Sequence, residues 1–242
     1  MVTLCWAAKG GSGTTVLVSA LALESERPAL VVDLAGEIPT VLGLATPHRP
    51  GVLDWLASTG PADQLADLVL DVDDTTFLVP SRSAGPGRPV RVVDAGSPRT
   101  DRAGSPVERP AERPAVPGER WAELVRWCVD WEHRRDGEVW IDAGSDTPSP
   151  TLADRCDHRW LVTRSCYLAL RRGADAAVRP DGVLLVTEPW RQLRTVDVER
   201  SIGAPVVATI PIDPLVARSV DAGFLTSRPP STIRRSLRAL PA

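Results

Sequence analysis

The run Ala7-Ala8-Lys9-Gly10-Gly11-Ser12-Gly13-Thr14-Thr15 carries the residue types that hold phosphate. Glycines accept positive φ, so successive backbone N–H groups can turn inward around an anion. An apolar run at residues 2–6 precedes the loop, and a mostly apolar run at 16–23 follows it. Strand, Gly-rich loop and helix in that order is the context in which such a loop binds phosphate. A helix opening at Thr14 or Thr15 adds its positive dipole end. The competing reading is a Gly-rich turn that joins strand to helix and binds nothing. Two carboxylates could serve the same chemistry. Asp33 closes an apolar run at 29–32, and Asp142 closes a third run at 138–142. At Asp142 such a carboxylate can hold Mg²⁺ through water. It can also simply cap the next turn.

The P-loop pattern is G-x-x-x-x-G-K-[ST]. Aligned on Gly13, the first Gly position holds Ala8, the Lys position holds Thr14, and Thr15 fills the Mg²⁺-ligating hydroxyl position. The lysine comes early instead, at Lys9. This arrangement resembles the deviant Walker motif, K-G-G-x-G-K-[ST], of the MinD/ParA family of P-loop ATPases. The resemblance implies that ATP and Mg²⁺ are the ligands. It implies that Lys9 reaches across a nucleotide-sandwich homodimer to the partner's phosphates. Thr14 then stands where the family lysine grips the β and γ phosphates. A charged hydrogen bond of that kind is worth roughly 1.5–3 kcal/mol, about one to two decades in affinity. The backbone amides of Gly10, Gly11, Ser12, Gly13, Thr14 and Thr15 remain to hold phosphate, with weaker binding expected.

Other segments carry the same resemblance. Family members place D-x-D at the end of the second strand; Asp33 matches the first Asp and Ala35 replaces the second. The resemblance implies that Asp33 and Asp142 organise the metal and its water. Alanine at 35 cannot orient an attacking water, which favours binding over turnover. Residues 160–163 and 183–187 read as further buried strands, each followed by a helical stretch. A strand at 206–210 runs into Pro211-Ile212-Asp213-Pro214, similar to the family's I-P-x-D loop along the adenine. The resemblance therefore gives Pro211 and Asp213 a place beside the base. It covers residues 1 to about 80 and about 120 to 225.

Lys9 with Thr14-Thr15 is most similar to the CpaE/TadZ branch, which often has a small residue in place of the loop lysine. That branch is linked to localising Tad pilus machinery at the cell pole, and related actinobacterial chains are described as septum-site regulators. Such proteins often carry a receiver-like domain ahead of the loop; here the loop follows the first strand. The resemblance thus implies a nucleotide-binding switch or scaffold that positions pilus, secretion or division proteins. A partition-type ATPase is the second reading, with an Arg from the Arg-rich stretch 82–118 replacing the lysine. A pseudo-ATPase interaction module without nucleotide is the third.

Composition narrows the classes. A chain of 242 residues with 43% apolar content suits one α/β domain over residues 1–242. A net charge of −3 gives no global nucleic-acid footprint. Cys5, Cys128, Cys156 and Cys166 form no C-x-x-C pair and read as reduced thiols of a cytoplasmic protein. His48, His133 and His158 are scattered, so no metal cluster of Cys and His is expected. No charged stretch precedes the first apolar run, so no signal peptide is expected, and no run approaches a membrane span.

Alternating strands and helices predict a P-loop NTPase fold, a doubly wound and mostly parallel sheet with helices on both faces. Strand C-terminal ends, and any ligand, then share one edge. Residues 82–118 break the pattern with seven Pro, five Gly and seven Arg against four Asp/Glu. That composition cannot bury enough apolar surface to fold alone and reads as an insertion or disordered loop. It could dock an acidic partner or be merely solvated. One possible strand at 90–93, followed by Asp94, rivals Asp142 as the metal-binding strand; the helix before Asp142 favours the latter. That helix, about 119–133, puts Trp121, Leu124, Val125, Cys128 and Trp131 on one face, for the core or for a partner groove. A helical stretch at 52–57, with Trp55, falls where the family faces its dimer partner. The stretch 231–240 places Ile233, Leu237 and Leu240 beside Arg234, Arg235 and Arg238. It reads as a closing helix packed on the domain. Weak membrane or DNA contact is the alternative, with recruitment to pole, septum or membrane surface.

Overall fold

The computed structural model describes residues 1–45, 49–81, 116–145, 147–227 and 231–237. His48, the possible strand at 90–93, Asp94, most of the 82–118 segment and residues 238–240 lie outside them.

Eight strands form one sheet in the order β3-β4-β2-β5-β1-β6-β7-β8. The central strands are β1 (Val2–Trp6), β5 (Glu138–Asp142), β2 (Ala29–Asp33) and β6 (His158–Arg164). Outside them lie β7 (Gly182–Thr187), β8 (Val206–Pro211), β4 (Thr76–Val79) and β3 (Leu70–Asp71). Every pairing is parallel except β3 with β4. That antiparallel edge was not foreseen from the apolar runs, because β3 is two residues long. Its turn is set by Asp73, whose carboxylate accepts from the backbone N–H of Thr75 and Thr76 at 2.9 and 2.7 Å.

Strict alternation along the strands splits the core in two. Leu4, Trp6, Leu30, Val32, Val139, Ile141, Leu161, Val183 and Leu185 point to one face. Cys5, Val31, Trp140, Trp160, Val162 and Leu184 point to the other. The first face is covered by α3 (Val52–Leu56), a 3-10 helix at Ala62–Leu68 and α4 (Gly118–Arg135), with α5 (Pro150–Ala153), α6 (Tyr167–Ala174) and α7 (Thr195–Ile202). The second is covered by α1 (Thr14–Leu23), α2 (Ile38–Leu42), α8 (Pro214–Asp221) and α9 (Ser231–Leu237).

The aromatic stripe of α4 belongs to the core. Trp121, Leu124, Val125, Trp127, Cys128 and Trp131 are all buried. Trp55 is buried as well, with Arg120 stacked 3.6 Å from its ring centre and its Nε1 donating to Pro61 O at 3.0 Å. It is therefore spoken for inside the subunit. On α9, Ile233 is buried in the second core and Arg234 pairs with Glu24 of the chain after α1 at 2.5 Å. That helix packs on the domain, as its closing-helix reading expects. Among the described residues no helix is long and apolar enough to cross a membrane.

Candidate functional site

The chain leaves β1 for the far side of β5, then returns through β5 to β6 on the other flank. β1 is thus where the winding reverses, and the crevice beyond its C-terminal end is where ligands bind in such sheets. The loop 7–13 occupies that position. Gly11 and Gly13 have φ of 76° and 91°. A Cβ at either would meet nothing within 4 Å, so backbone conformation alone demands glycine there. Gly13 is the N-cap of α1 and provides no side-chain cap, and the first turn holds no acid. The leading N–H groups of α1 are therefore left without a side-chain acceptor at their cap. Ser12 Oγ donates to Lys9 O at 2.8 Å and ties the loop to itself. The Ala7 N–H donates to Gly144 O at 2.8 Å, which joins the loop to the end of β5.

Lys9 is half-buried at the start of the loop. It is also the only lysine of the chain: of 28 Lys and Arg, 27 are Arg. A lysine is a compact point charge with three rotatable donors, whereas arginine is a planar fork. A chain that uses arginine everywhere else keeps its one ammonium side chain in this glycine-rich loop. Thr14, at the position of the missing lysine, is 6% exposed and so is part of the packing of α1. Thr15 is half-buried and stands beside Asp142.

Asp33 and Asp142 are the last residues of adjacent strands and pair in register. Both are fully buried. Asp33 accepts from the N–H of Gly36 at 2.6 Å and of Ile38 at 3.2 Å. Asp142 Oδ1 accepts from the N–H of Gly144 at 2.9 Å, while its Oδ2 has no partner. Burial first, and then the Asp142 charge, push Asp33 up to about 7. Burial pushes Asp142 up to about 6, against the pull of Gly144 N–H and the Thr15 hydroxyl. Two buried carboxylates and an orphaned oxygen form a site that a divalent cation would relieve. Among the described residues no group of three or more His, Cys, Asp or Glu could hold a metal alone. A cation there needs oxygen ligands from a bound anion, which is how Mg²⁺ sits with phosphates. The residues present therefore fit Mg²⁺ with a phosphate-bearing ligand, weakened by Thr14. Ala35 packs on the same turn: a Cβ added to Gly144 would lie 3.0 Å from Ala35 Cβ.

Not every expected residue joins this cluster. Pro211 ends β8 at the far flank of the sheet. Asp213 caps α8, accepting from Leu215 N–H at 2.8 Å and from Thr232 Oγ1 at 2.5 Å. Its carboxylate thus ties α8 to α9. Sequence reasoning missed a second charged cluster on the same edge. Glu188, just past β7, is 5% exposed and accepts from Arg164 at 3.0 Å and Arg191 at 2.5 Å. The Arg191 bond first holds its carboxyl below the usual range. The available signal was a Glu-Pro-Trp-Arg turn directly after an apolar run.

No known family profile matches this sequence, and no curated protein does. Solved structures do match over nearly the whole chain. A ParA family ATPase from Chlorobium tepidum is 18% identical with a TM-score of 0.68, over 98% of this chain and 95% of that one. The MinD cell division protein of Aquifex aeolicus is 14% identical at 0.68, over 98% and 95%. Cobyrinic acid a,c-diamide synthase from Mycobacterium smegmatis, solved with an ATP analogue and magnesium, is 19% identical at 0.60, over 98% and 90%. The eight-stranded, mostly parallel sheet with its loop at the end of β1 is the P-loop NTPase fold of the MinD and ParA ATPases.

Proposed function

We propose that this chain is a divergent MinD/ParA-like nucleotide switch or scaffold of the CpaE/TadZ kind. It binds Mg²⁺ and ATP weakly, hydrolyses ATP slowly or not at all, and positions pilus, secretion or division proteins as a nucleotide-dependent homodimer. The observation that carries this reading is the juxtaposition at one strand edge of the open phosphate loop, Thr15 and Asp142 with its unpartnered oxygen. In it, loop amides of Gly10 to Thr15 orient the phosphates and Lys9 supplies the ammonium. Asp33 and Asp142 accept the hydrogen bonds of metal-bound water. Magnesium, when bound, neutralises phosphate charge. Thr14 and Ala35 remove the gripping lysine and the second switch carboxylate, which supports binding without turnover.

The test is calorimetric titration of the full chain with Mg²⁺ and a non-hydrolysable ATP analogue. Saturable binding abolished by Gly13→Val, and tightened by about one to two decades in Thr14→Lys, supports the reading. An amine-reactive reagent adds a second readout, because Lys9 and the N-terminal amine are the only amines. Protection of Lys9 by nucleotide is expected. No heat at millimolar ligand and no protection would leave a retired ATPase fold that acts through its surfaces alone.

A further inference from the structure

Five of the seven large apolar side chains exposed among the described residues fall at α6 and on the stretch running into α7. Tyr167 (73% exposed) and Leu168 (45%) open α6, and Trp190 (66%) and Leu193 (37%) lie on the segment leading into α7. Between the helices runs a cleft of about 480 Å³, walled on its apolar side by Tyr167, Leu170, Ala174 and Leu193. The other seven of the eight tryptophans are buried; Trp190 stands alone in solvent. Every residue from 189 to 196 is exposed. An apolar patch of this kind marks a place where something docks.

Arginines outnumber acids around the cleft. Residues 165–173 and 189–196 contain Arg171, Arg172, Arg191 and Arg194 and no Asp or Glu, in a chain whose net charge is −3. The acids of the cleft, Asp175 and Asp197, lie on its walls, and Asp197 is engaged with Arg194. Aromatic anchors ringed by arginine are the composition of a protein-binding hot spot.

We propose that this cleft docks an acidic amphipathic segment of a protein partner. One or two apolar side chains enter between Tyr167 and Leu193, and flanking carboxylates meet Arg171 and Arg172. A second copy of the chain fits poorly, because a two-fold contact would set four arginines against the same four. A nucleic acid has no use for the aliphatic walls, and four arginines make a short phosphate track. The inference rests on the recruiting half of the proposed function and needs no nucleotide.

The test is selection of a phage-displayed library of random peptides on the immobilised full chain, without nucleotide. Enrichment of sequences that combine Asp or Glu with Leu, Phe or Trp is expected. Their synthetic forms should bind at least tenfold more weakly to Trp190→Ala and to Arg171→Glu, variants whose melting temperatures stay unchanged. Bound peptide should also shield Trp190 from iodide quenching, which reads this tryptophan because the others are buried. The proposal is overturned if no peptide is enriched, if the enriched ones are neutral or basic, or if both variants bind them as well as the parent. It is equally overturned if duplex DNA shields Trp190 with a steep salt dependence, or if Trp190→Ala turns a dimer into a monomer. Peptide binding in a chain that shows no nucleotide heat would leave this inference standing while the nucleotide reading fails.

Discussion

Two carboxylate clusters stand on the same edge of the sheet, and their electrostatics are opposite. Asp33 and Asp142 are buried side by side with raised pKa values of about 7 and about 6. Glu188 is nearly as buried, yet its carboxyl is held low by Arg191 and Arg164. The contrast is the source of the counter-cation. Glu188 has two within the chain, so its cluster is complete as folded. The aspartates have none in the described ion pairs, so only a proton or an added cation relieves them. The β2–β5–β1 end of the edge is accordingly where the proposed function places the ligand. The β7 end is electrostatically complete, with Arg164 and Arg191 turned onto Glu188 and Trp190 in solvent.

The contrast can be broken most directly through the ligand. Asp142→Ala should weaken Mg²⁺-dependent binding of the ATP analogue by about one to two decades. Glu188→Gln should leave it unchanged, and calorimetry on both variants decides. Equal losses would erase the distinction between the clusters.

A second test removes the self-sufficient carboxylate. Glu188→Ala leaves Arg164 and Arg191 facing each other, with side chains 35% and 41% exposed. Solvent screening puts the cost below the range for fully buried pairs, at about 1–2 kcal/mol. For a chain of this size the melting temperature should drop by roughly 2–4 °C per kcal/mol. Thermal denaturation monitored by circular dichroism measures it, and no drop would mean the cluster carries no structural weight.

The third test uses pH. Both aspartates have folded-state values above the 3.8 of a free carboxyl. The folded chain therefore keeps protons that the unfolded chain releases as pH rises past about 4. Their contribution to stability is complete below that point and is lost as pH climbs through about 6 and about 7. Without metal, melting temperature should fall across this window more steeply for the parent than for Asp33→Asn. Parallel curves would refute the raised values. Smallest of all should be Arg234→Ala, which removes a half-exposed partner of Glu24. Its cost should be at most about 1 kcal/mol by the same melting assay.

Much of the fold was legible because the strands are buried on both faces. Such strands read as continuous apolar runs, and the runs at 2–6, 29–32, 138–142, 160–163, 183–187 and 206–210 all became strands. The β3–β4 edge was not, because strands of two and four residues are too short to show a period. The aromatic stripe of α4 left core and partner groove open, since an amphipathic face shows what must be covered and not what covers it. The carboxylate of Asp213 caps α8 and accepts from Thr232 across 19 residues, a contact with no local signature.

Loop, helix start and carboxylate strand ends follow from the sequence alone, because glycine's freedom, dipole direction and strand alternation are local properties. That Thr14 and Ala35 stand where the resemblance expects Lys and Asp is equally local. What the tertiary structure decided is which charges meet. It set Asp33 against Asp142 and clamped Glu188 between Arg164 and Arg191. It buried seven tryptophans and left Trp190 outside. Those outcomes depend on strand order and helix packing. The pairing of Asp33 with Asp142 couples residues over 100 positions apart, where no spacing rule reaches.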